Sequence, residues 1–367
     1  MNKAADIFNK PSTYIPFIAI LLGLLCGGII MWIGGYDPFT AYGALWKTVF
    51  GTRYDFGETI VAITPILFTG LAVGFAFRAG IFNIGADGQY IIGMTAATIV
   101  GLKVHLPAFI HAPLALIVGT LCGALWGALV GWLKAYRGVN EVISAIMLNW
   151  IALYLSNYVL RDFLVKKGEQ KTPNIDDTAS LSIGWLSDFM KGARMDWGIW
   201  VGLLCVVIFY VLLWRTKQGY ELRAVGHNAD AAKAAGINIK ASFIKTMMIS
   251  GAFAGLGGVF SVLGVFHYQV VQAASAGYGF DGIAVALLGG NHPLGILLGA
   301  ILFGGLTYGS SGMNFEADVP TEIVRIVIGS IIFFVASHGL IRTVIQPFFK
   351  KRKSRERKGA DMNGNVG

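Results

Sequence analysis

Apolar runs of about twenty residues, separated by short polar breaks, recur along the whole chain. Each is about the length a helix needs to cross a bilayer. The pattern predicts spans at 14–34, 59–77, 83–102, 109–133, 142–161, 197–214, 243–267, 279–291, 293–311 and 321–345. The eighth is short and reads as a broken or re-entrant helix. Ten spans leave both termini on one side, and basic residues choose the side because they favour cytoplasmic loops. With the N-terminus inside, nineteen Lys and Arg fall in cytoplasmic segments and nine outside. Asp176, Asp177, Asp188, Asp196, Glu316 and Asp318 all fall outside. The expected fold is an all-α polytopic membrane protein with both termini cytoplasmic.

The chain also echoes itself. His111-Ala112-Pro113-Leu114 is similar to His292-Pro293-Leu294, Gly85-Ala86-Asp87-Gly88 to Gly279-Phe280-Asp281-Gly282, and Val139-Asn140-Glu141 to Val319-Pro320-Thr321-Glu322. These landmarks match spans three to five with spans eight to ten. The odd offset turns the second copy upside down, the inverted-repeat plan of many transporters. The expected organisation is a cytoplasmic N-terminus at 1–13 and a permease domain at 14–345, with repeats at about 59–161 and 243–345. An outside loop at 162–196, a cytoplasmic connector at 215–242 and a basic cytoplasmic tail at 346–367 complete it.

Composition sharpens this picture. Of 367 residues, 55% are hydrophobic and 13% charged, and 49 are glycine. Ordinary soluble domains carry about a quarter charged residues. A secreted disulfide scaffold, a nucleic-acid-binding domain and a disordered tail protein are therefore excluded. The net charge of +9 gathers in the tail, where Lys350, Lys351, Arg352, Lys353, Arg355, Arg357 and Lys358 face Glu356 and Asp361. Beside a membrane, such a tail reads as a contact with anionic lipid, not nucleic acid. Cys26, Cys122 and Cys205 lie in separate apolar runs and make neither a disulfide framework nor a metal site. Segment 14–34 follows Lys3 and Lys10 without a cleavage signal and reads as a retained span.

Several polar residues sit where apolar ones are expected. Asn83, Asp87 and Gln89 lie among glycines at the entry to the third span. They read either as pathway lining at an interrupted helix or as helix caps. Asp281, beside Phe280 in the eighth segment, occupies the equivalent repeat position. Glu141, Asn149 and Asn157 recur every eight residues and drift slowly around one face of the fifth span. Asn149 and Asn157 are pathway candidates, whereas Glu141 reads as solvated. Glu322 and Arg325 are spaced to pair on a helix. Gly119, Gly123, Gly127 and Gly131 form a one-sided stripe for close helix packing. Connector 215–242 contains an alanine-rich stretch that Asn228 can cap and Gly236 can end. Loop 162–196 reads as a membrane-surface segment or a receiver for an external partner. No Gly-Lys dipeptide occurs, so there is no phosphate-cradling loop of the Walker type. Neither a zinc-protease spacing nor a nucleophile triad is present.

Phe82-Asn83-Ile84-Gly85-Ala86-Asp87-Gly88-Gln89 resembles the signature of the nucleoside-type ABC importer permeases, a branch of the branched-chain amino acid and simple-sugar permease superfamily. In this chain Asp87 stands where the signature has glutamate. Leu222-Arg223-Ala224-Val225-Gly226, Ala231-Ala232 and Gly236-Ile237 resemble that superfamily's ATPase-coupling loop. Gly277 to Gly289 resembles its second-half signature. The resemblance covers about residues 59–342. It implies a type II importer-like permease in a bacterial cytoplasmic membrane. Gly219, Glu221, Leu222, Arg223, Ala224, Gly226, Asn228, Ala231, Ala232 and Gly236 would then engage the ATPase. The implied partners are a second homologous permease, a cytoplasmic P-loop ATPase and a lipid-anchored substrate-binding protein. ATP and Mg would sit on the ATPase and no cofactor on this chain, which is a transport subunit and not itself an enzyme. A simple-sugar permease, for ribose for example, is the alternative within the class. An ion-coupled secondary transporter using Asp87, Asp281 or Arg325 is the alternative outside it.

Overall fold

The computed structural model describes residues 11–337, in which fourteen α-helices and no strand occur. The first seven are α1 (Pro11–Ile33), α2 (Pro38–Phe50), α3 (Arg53–Arg78), α4 (Ala86–Lys103), α5 (Ala108–Arg137), α6 (Glu141–Val159) and α7 (Gly184–Phe189). The others are α8 (Gly198–Arg215), α9 (Lys217–His227), α10 (Ala229–Ala234), α11 (Ile239–Phe260), α12 (Tyr278–Leu288), α13 (Pro293–Ala317) and α14 (Thr321–Ala336). Short π-helical ends, Leu160–Leu164 and Ser261–Phe266, extend α6 and α11. Residues 1–10 of the expected N-terminal segment, the end of the tenth span and the basic tail lie outside the described residues.

Among the described residues, six helices are long and apolar enough to cross a membrane: α3, α5, α6 and α11 with their π-helical ends, α8 and α13. The chain is a multi-pass membrane protein. α12 is apolar but has only 11 residues, in keeping with the short eighth segment. α4 has 18 residues but carries Asp87, Gln89, Thr95, Thr98 and Lys103.

Four local expectations need correction. The third span starts at Ala86, not at Asn83. Gly80 turns the chain with φ +76°, and Asn83 Oδ1 then accepts the Gly85 N–H at 2.9 Å, which holds the backbone out of the helix. α2 fills a stretch that hydropathy left as a loop, because 13 residues are too few to register as a span. Asp37 starts it by accepting the N–H groups of Phe39 and Thr40 at 3.1 Å. Glu141 is not merely solvated, since Lys134 Nζ lies 2.6 Å from its carboxylate. Glu322 and Arg325 form no ion pair, and Glu322 accepts a hydrogen bond from Thr321 Oγ1.

The described residues fall into two units. In the first, built from the chain up to Tyr42 and from Met313 onward, α1 packs on α14. The Tyr42 hydroxyl donates to Leu24 O at 2.6 Å, and Val327 methyls fill the space beside Gly27.

The second unit, Gly43–Gly312, centres on α3, α4, α5 and α11. Gly123 and Gly127 of the stripe press against Gly251 of α11, so the two backbones meet. A Cβ on Gly123 would stand 2.7 Å from Gly255 Cα. Dispersion contacts and the close approach of small residues hold such a seam together.

The 162–196 loop packs on its own unit. Ile175 and Ala179 join a buried cluster with Val100 and Leu263, and Ile183 and Leu186 join one with Val61 and Met195. Three histidines reach alternate loop residues: His105 to Asp176 at 2.6 Å, His111 to Thr178 at 2.7 Å and His267 to Ser180 at 3.0 Å. Arg194 donates from its backbone N–H and its guanidinium to the buried Glu58 carboxylate. Asp196 is buried before α8, where Oδ1 accepts the Gly198 N–H and Oδ2 has no partner. Burial pushes its carboxyl up to about 7.

Candidate functional site

Two regions gather the residues marked by the sequence. The first lies where helices are interrupted. Gly80 to Gly85 separates α3 from α4, and residues 267–277 separate α11 from α12. Nonhelical backbone at membrane depth needs internal hydrogen-bond partners.

At the first break, Asn83 and Gln89 are fully buried and bonded to each other. Asn83 Nδ2 donates to Gln89 Oε1 at 2.8 Å and to Ser250 Oγ at 2.7 Å, and Ser250 in turn donates to Ala72 O. One asparagine thus ties the break to α4 and α11. Asp87 in the first turn of α4 is also buried, and its Oδ1 accepts the Gly279 N–H at 3.0 Å. That bond brings the start of α4 against the start of α12. Phe280 is exposed and Asp281 half-buried beside it.

The fifth-span asparagines hold backbone. Asn149 of α6 accepts the Gly88 N–H and donates to Ile84 O, each at 2.9 Å. Asn157, two turns on, accepts the Gln272 N–H at 3.0 Å and donates to Gln272 O at 2.7 Å. Asn83, Asp87, Gln89 and Asn149 therefore all act at the first break, with Asn83 and Gln89 bonded to each other, and Asn157 belongs to the other break.

The second break has an anchor that the sequence reading did not single out. Gln269 is buried, and its amide reaches Thr98 at 2.9 Å, Thr95 at 3.0 Å and Ser156 at 3.2 Å. Its backbone N–H donates to Thr172 Oγ1 and its carbonyl accepts the Thr172 N–H. Thr95 and Thr98, three apart on α4, were the available signal, as was Gln269 after a run of glycines.

The second region surrounds α9 and α10, a polar helical pair between two apolar helices. Thr216 caps α9 through the Gly219 N–H, and Asn228 caps α10 through the Ala231 N–H, both at 3.0 Å. Gly236, with φ +82°, ends the pair. Gly219, Leu222, Val225 and Ala232 face inward. Gly226 is exposed on one side and backs on the Gly80 turn on the other. A Cβ there would meet Ala79 C and Gly80 N at 2.6 Å. Glu221 lies 3.8 Å from Lys217.

The pair borders a groove of about 940 Å³, lined by Arg78, Tyr220, Arg223, Ala224, Ala231 and Gly236 among others. Arg78 donates to the carbonyls of Gly290 and Asn291 at 2.8 Å, and both Arg78 and Arg223 lie 5.8 Å over the Trp214 ring. Arg78 and the exposed Tyr220 were not among the residues marked for this region. Tyr220 lies between the marked Gly219 and Glu221, and Arg78 lies four residues before Phe82.

The branched-chain amino acid transport system / permease component family matches residues 56–336. The guanosine ABC transporter permease protein NupP of Bacillus subtilis (strain 168) is 48% identical over 92% of this chain and 97% of its own. The nucleoside ABC transporter permease protein NupB of Lactococcus lactis subsp. cremoris (strain MG1363) is 37% identical over 93% of this chain and 94% of its own. The glucose ABC transporter permease protein TsgB13 of Haloferax volcanii is 31% identical over 92% and 88%. No solved structure matches the chain. A multi-pass helical bundle with interrupted helices, matched through its whole central part, places this chain in the branched-chain amino acid transport system / permease component family.

Proposed function

We propose that this chain is the permease subunit of an ATP-driven importer for nucleosides. The observation that carries the reading is the similarity, over more than nine-tenths of both chains, to two permeases named for guanosine and nucleosides. The glucose permease is less similar, which ranks a sugar second.

The subunit crosses the cytoplasmic membrane ten times with both termini inside, as two inverted repeats. Asp87 and Asp281 support the repeat, since each sits in the first turn of a helix that follows a nonhelical stretch. ATP and Mg bind a separate cytoplasmic ATPase. A second homologous permease completes the path, and a lipid-anchored binding protein delivers the solute. The groove beside α9 and α10 receives the ATPase: Tyr220 and Ala231 present the exposed surface, while Gly219 and Gly226 fix the pair to the permease body. ATP-driven closure of the ATPase then moves the α9–α10 pair and switches the path between its two open states.

Uptake of labelled guanosine and adenosine by cells with and without the chain tests the substrate, with membrane potential held constant and unlabelled ribose as competitor. Loss of nucleoside uptake that ribose does not compete is the expected result. Uptake by this chain without an ATPase, collapsed by an ionophore, would instead establish a secondary transporter. Tyr220→Ala and Ala231→Arg test the groove, and both should abolish uptake while the permease still reaches the membrane.

A further inference from the structure

Helices that face lipid follow a regular pattern. Aliphatic side chains occupy the middle, and Trp and Tyr occupy the ends, where their polar tips meet the headgroups. Most exposed positions on α5 and α8 of the second unit follow it, Tyr210 of α8 being an exception. On α5 the exposed mid-helix residues include Leu121 and Leu125, and Trp132 and Tyr136 come near the end. On α8, Val207 and Ile208 occupy the middle, and Trp197 and Trp200 lie at the start.

α6 departs from this order. Trp150, Tyr154 and Tyr158 recur every fourth residue on one exposed face, at 50%, 64% and 57% exposure. Trp150 and Tyr154 stack, with ring centroids 6.1 Å apart and planes 25° from parallel. At a rise of 1.5 Å per residue, both lie within about 4 Å of the midpoint of the helix that runs from Glu141 to Leu164. Among the described residues, none accepts from or donates to the Trp150 indole N–H or the Tyr154 and Tyr158 hydroxyls, all of which lie on the exposed face. In the centre of a hydrocarbon layer, such groups are costly. The stripe also borders the seam at which α6 grips both helix breaks, since Trp150 follows Asn149 and Tyr158 follows Asn157.

A row of flat, amphipathic rings with unmet polar tips fits a wet path for a flat, amphipathic solute. We infer that Trp150, Tyr154 and Tyr158 face the translocation path in the assembled transporter, as a ladder on which the nucleobase stacks during passage. This rests on the nucleoside reading above and adds where along the chain the base is recognised. Stacking is tolerant of base identity because every base has a π-face. The ladder therefore accepts purine and pyrimidine nucleosides and grips a free sugar, which has C–H faces but no π-face, more weakly.

The test uses the complete transporter, with its ATPase, partner permease and binding protein, in proteoliposomes. Cys26, Cys122 and Cys205 are first replaced by serine or alanine, and Tyr154→Cys and Leu125→Cys are made singly. A membrane-impermeant thiosulfonate should label the Tyr154→Cys protein, guanosine but not ribose should slow that labelling, and the Leu125→Cys control should stay unlabelled. In the native background, Trp150→Leu with Tyr154→Leu should reduce guanosine uptake by about tenfold, and the paired Phe substitutions should restore it. Leucine is the better residue for a lipid-facing position, so wild-type uptake by the leucine pair would overturn the ladder. So would an unlabelled Tyr154→Cys, or phenylalanines that fail to rescue. A wild-type complex that carries no nucleoside at all would remove the substrate reading itself, and the ladder with it.

Discussion

The two breaks in the second unit solve the same problem in opposite ways. The first is short and closed by side chains, with Asn83 bonding Gln89, Ser250 and the Gly85 N–H inside a buried core and Asn149 holding Ile84 and Gly88 from α6. The second is eleven residues long and held through its backbone, by Asn157 at Gln272, by Thr172 at Gln269 and by Gln170 at Val271. A break in which one side chain makes most of the ties depends on that residue, whereas a break tied at several backbone points spreads the dependence. The first behaves as a knot and the second as a laced seam.

The largest effect expected on this comparison comes from Asn83→Ala. It leaves the Gln89 amide and the Gly85 N–H to find new partners in a buried site, while Ser250 keeps its bond to Ala72 O, at a cost of about 3 kcal/mol or more. Thermal unfolding of the solubilised complex should show this as a severe loss of Tm. Gln269→Leu should cost less, about 2 kcal/mol, because Thr95 and Thr98 already donate to Ile91 O and Met94 O in their own helix. A Gln269 variant as unstable as the Asn83 one would erase the distinction between knot and seam. Asn157→Ala should cost about 1 kcal/mol, since Gln269 and Thr172 still hold the segment. Asn149→Ala, which loses grip on the knot side, should cost more than Asn157→Ala, and hydrogen exchange at residues 84–88 against 269–272 would separate them.

The smallest effect concerns pH, at the end of the loop that packs beside the second break. Asp196 has a folded pKa of about 7 against an ordinary value of 3.8, so the folded state prefers its neutral form. The resulting penalty is absent below about pH 4, grows as pH rises toward 7 and is complete above it. Asp196→Asn keeps the acceptor for the Gly198 N–H. It should raise stability at alkaline pH and leave it unchanged in acid. A Tm profile of the variant that still falls between those pH values would place the titration elsewhere.

Most of the helices were legible in the sequence because each span is a local property. Runs of apolar residues such as 109–133 and 197–214 announce α5 and α8 without reference to the rest of the chain. The unusual polar residues were legible too, but not their partners. Asn149 meets Gly88 across 61 positions, and Asp87 meets Gly279 across 192. No spacing rule reaches that far. Segment 162–196 read as a membrane-surface segment or a receiver for an external partner, and its packing was hidden for the same reason, since Ile175 and Ala179 are buried in a cluster with the distant Val100 and Leu263. Aromatic residues were too numerous for any set to stand out by composition. Trp150, Tyr154 and Tyr158 separate from the others only when the fold shows which face is bare. α2 escaped because a 13-residue helix carries neither the length of a span nor a strong motif.

The contact between Gly80 and Gly226 has a mechanical consequence. With no side chain between them, the two backbones bear on each other like a tooth in a notch, and there is no compressible layer to absorb a displacement. A push delivered to α9 therefore arrives at the Gly80 turn undamped, three residues before Asn83. The junction also constrains drift, because neither glycine has room to grow unless the opposite backbone retreats.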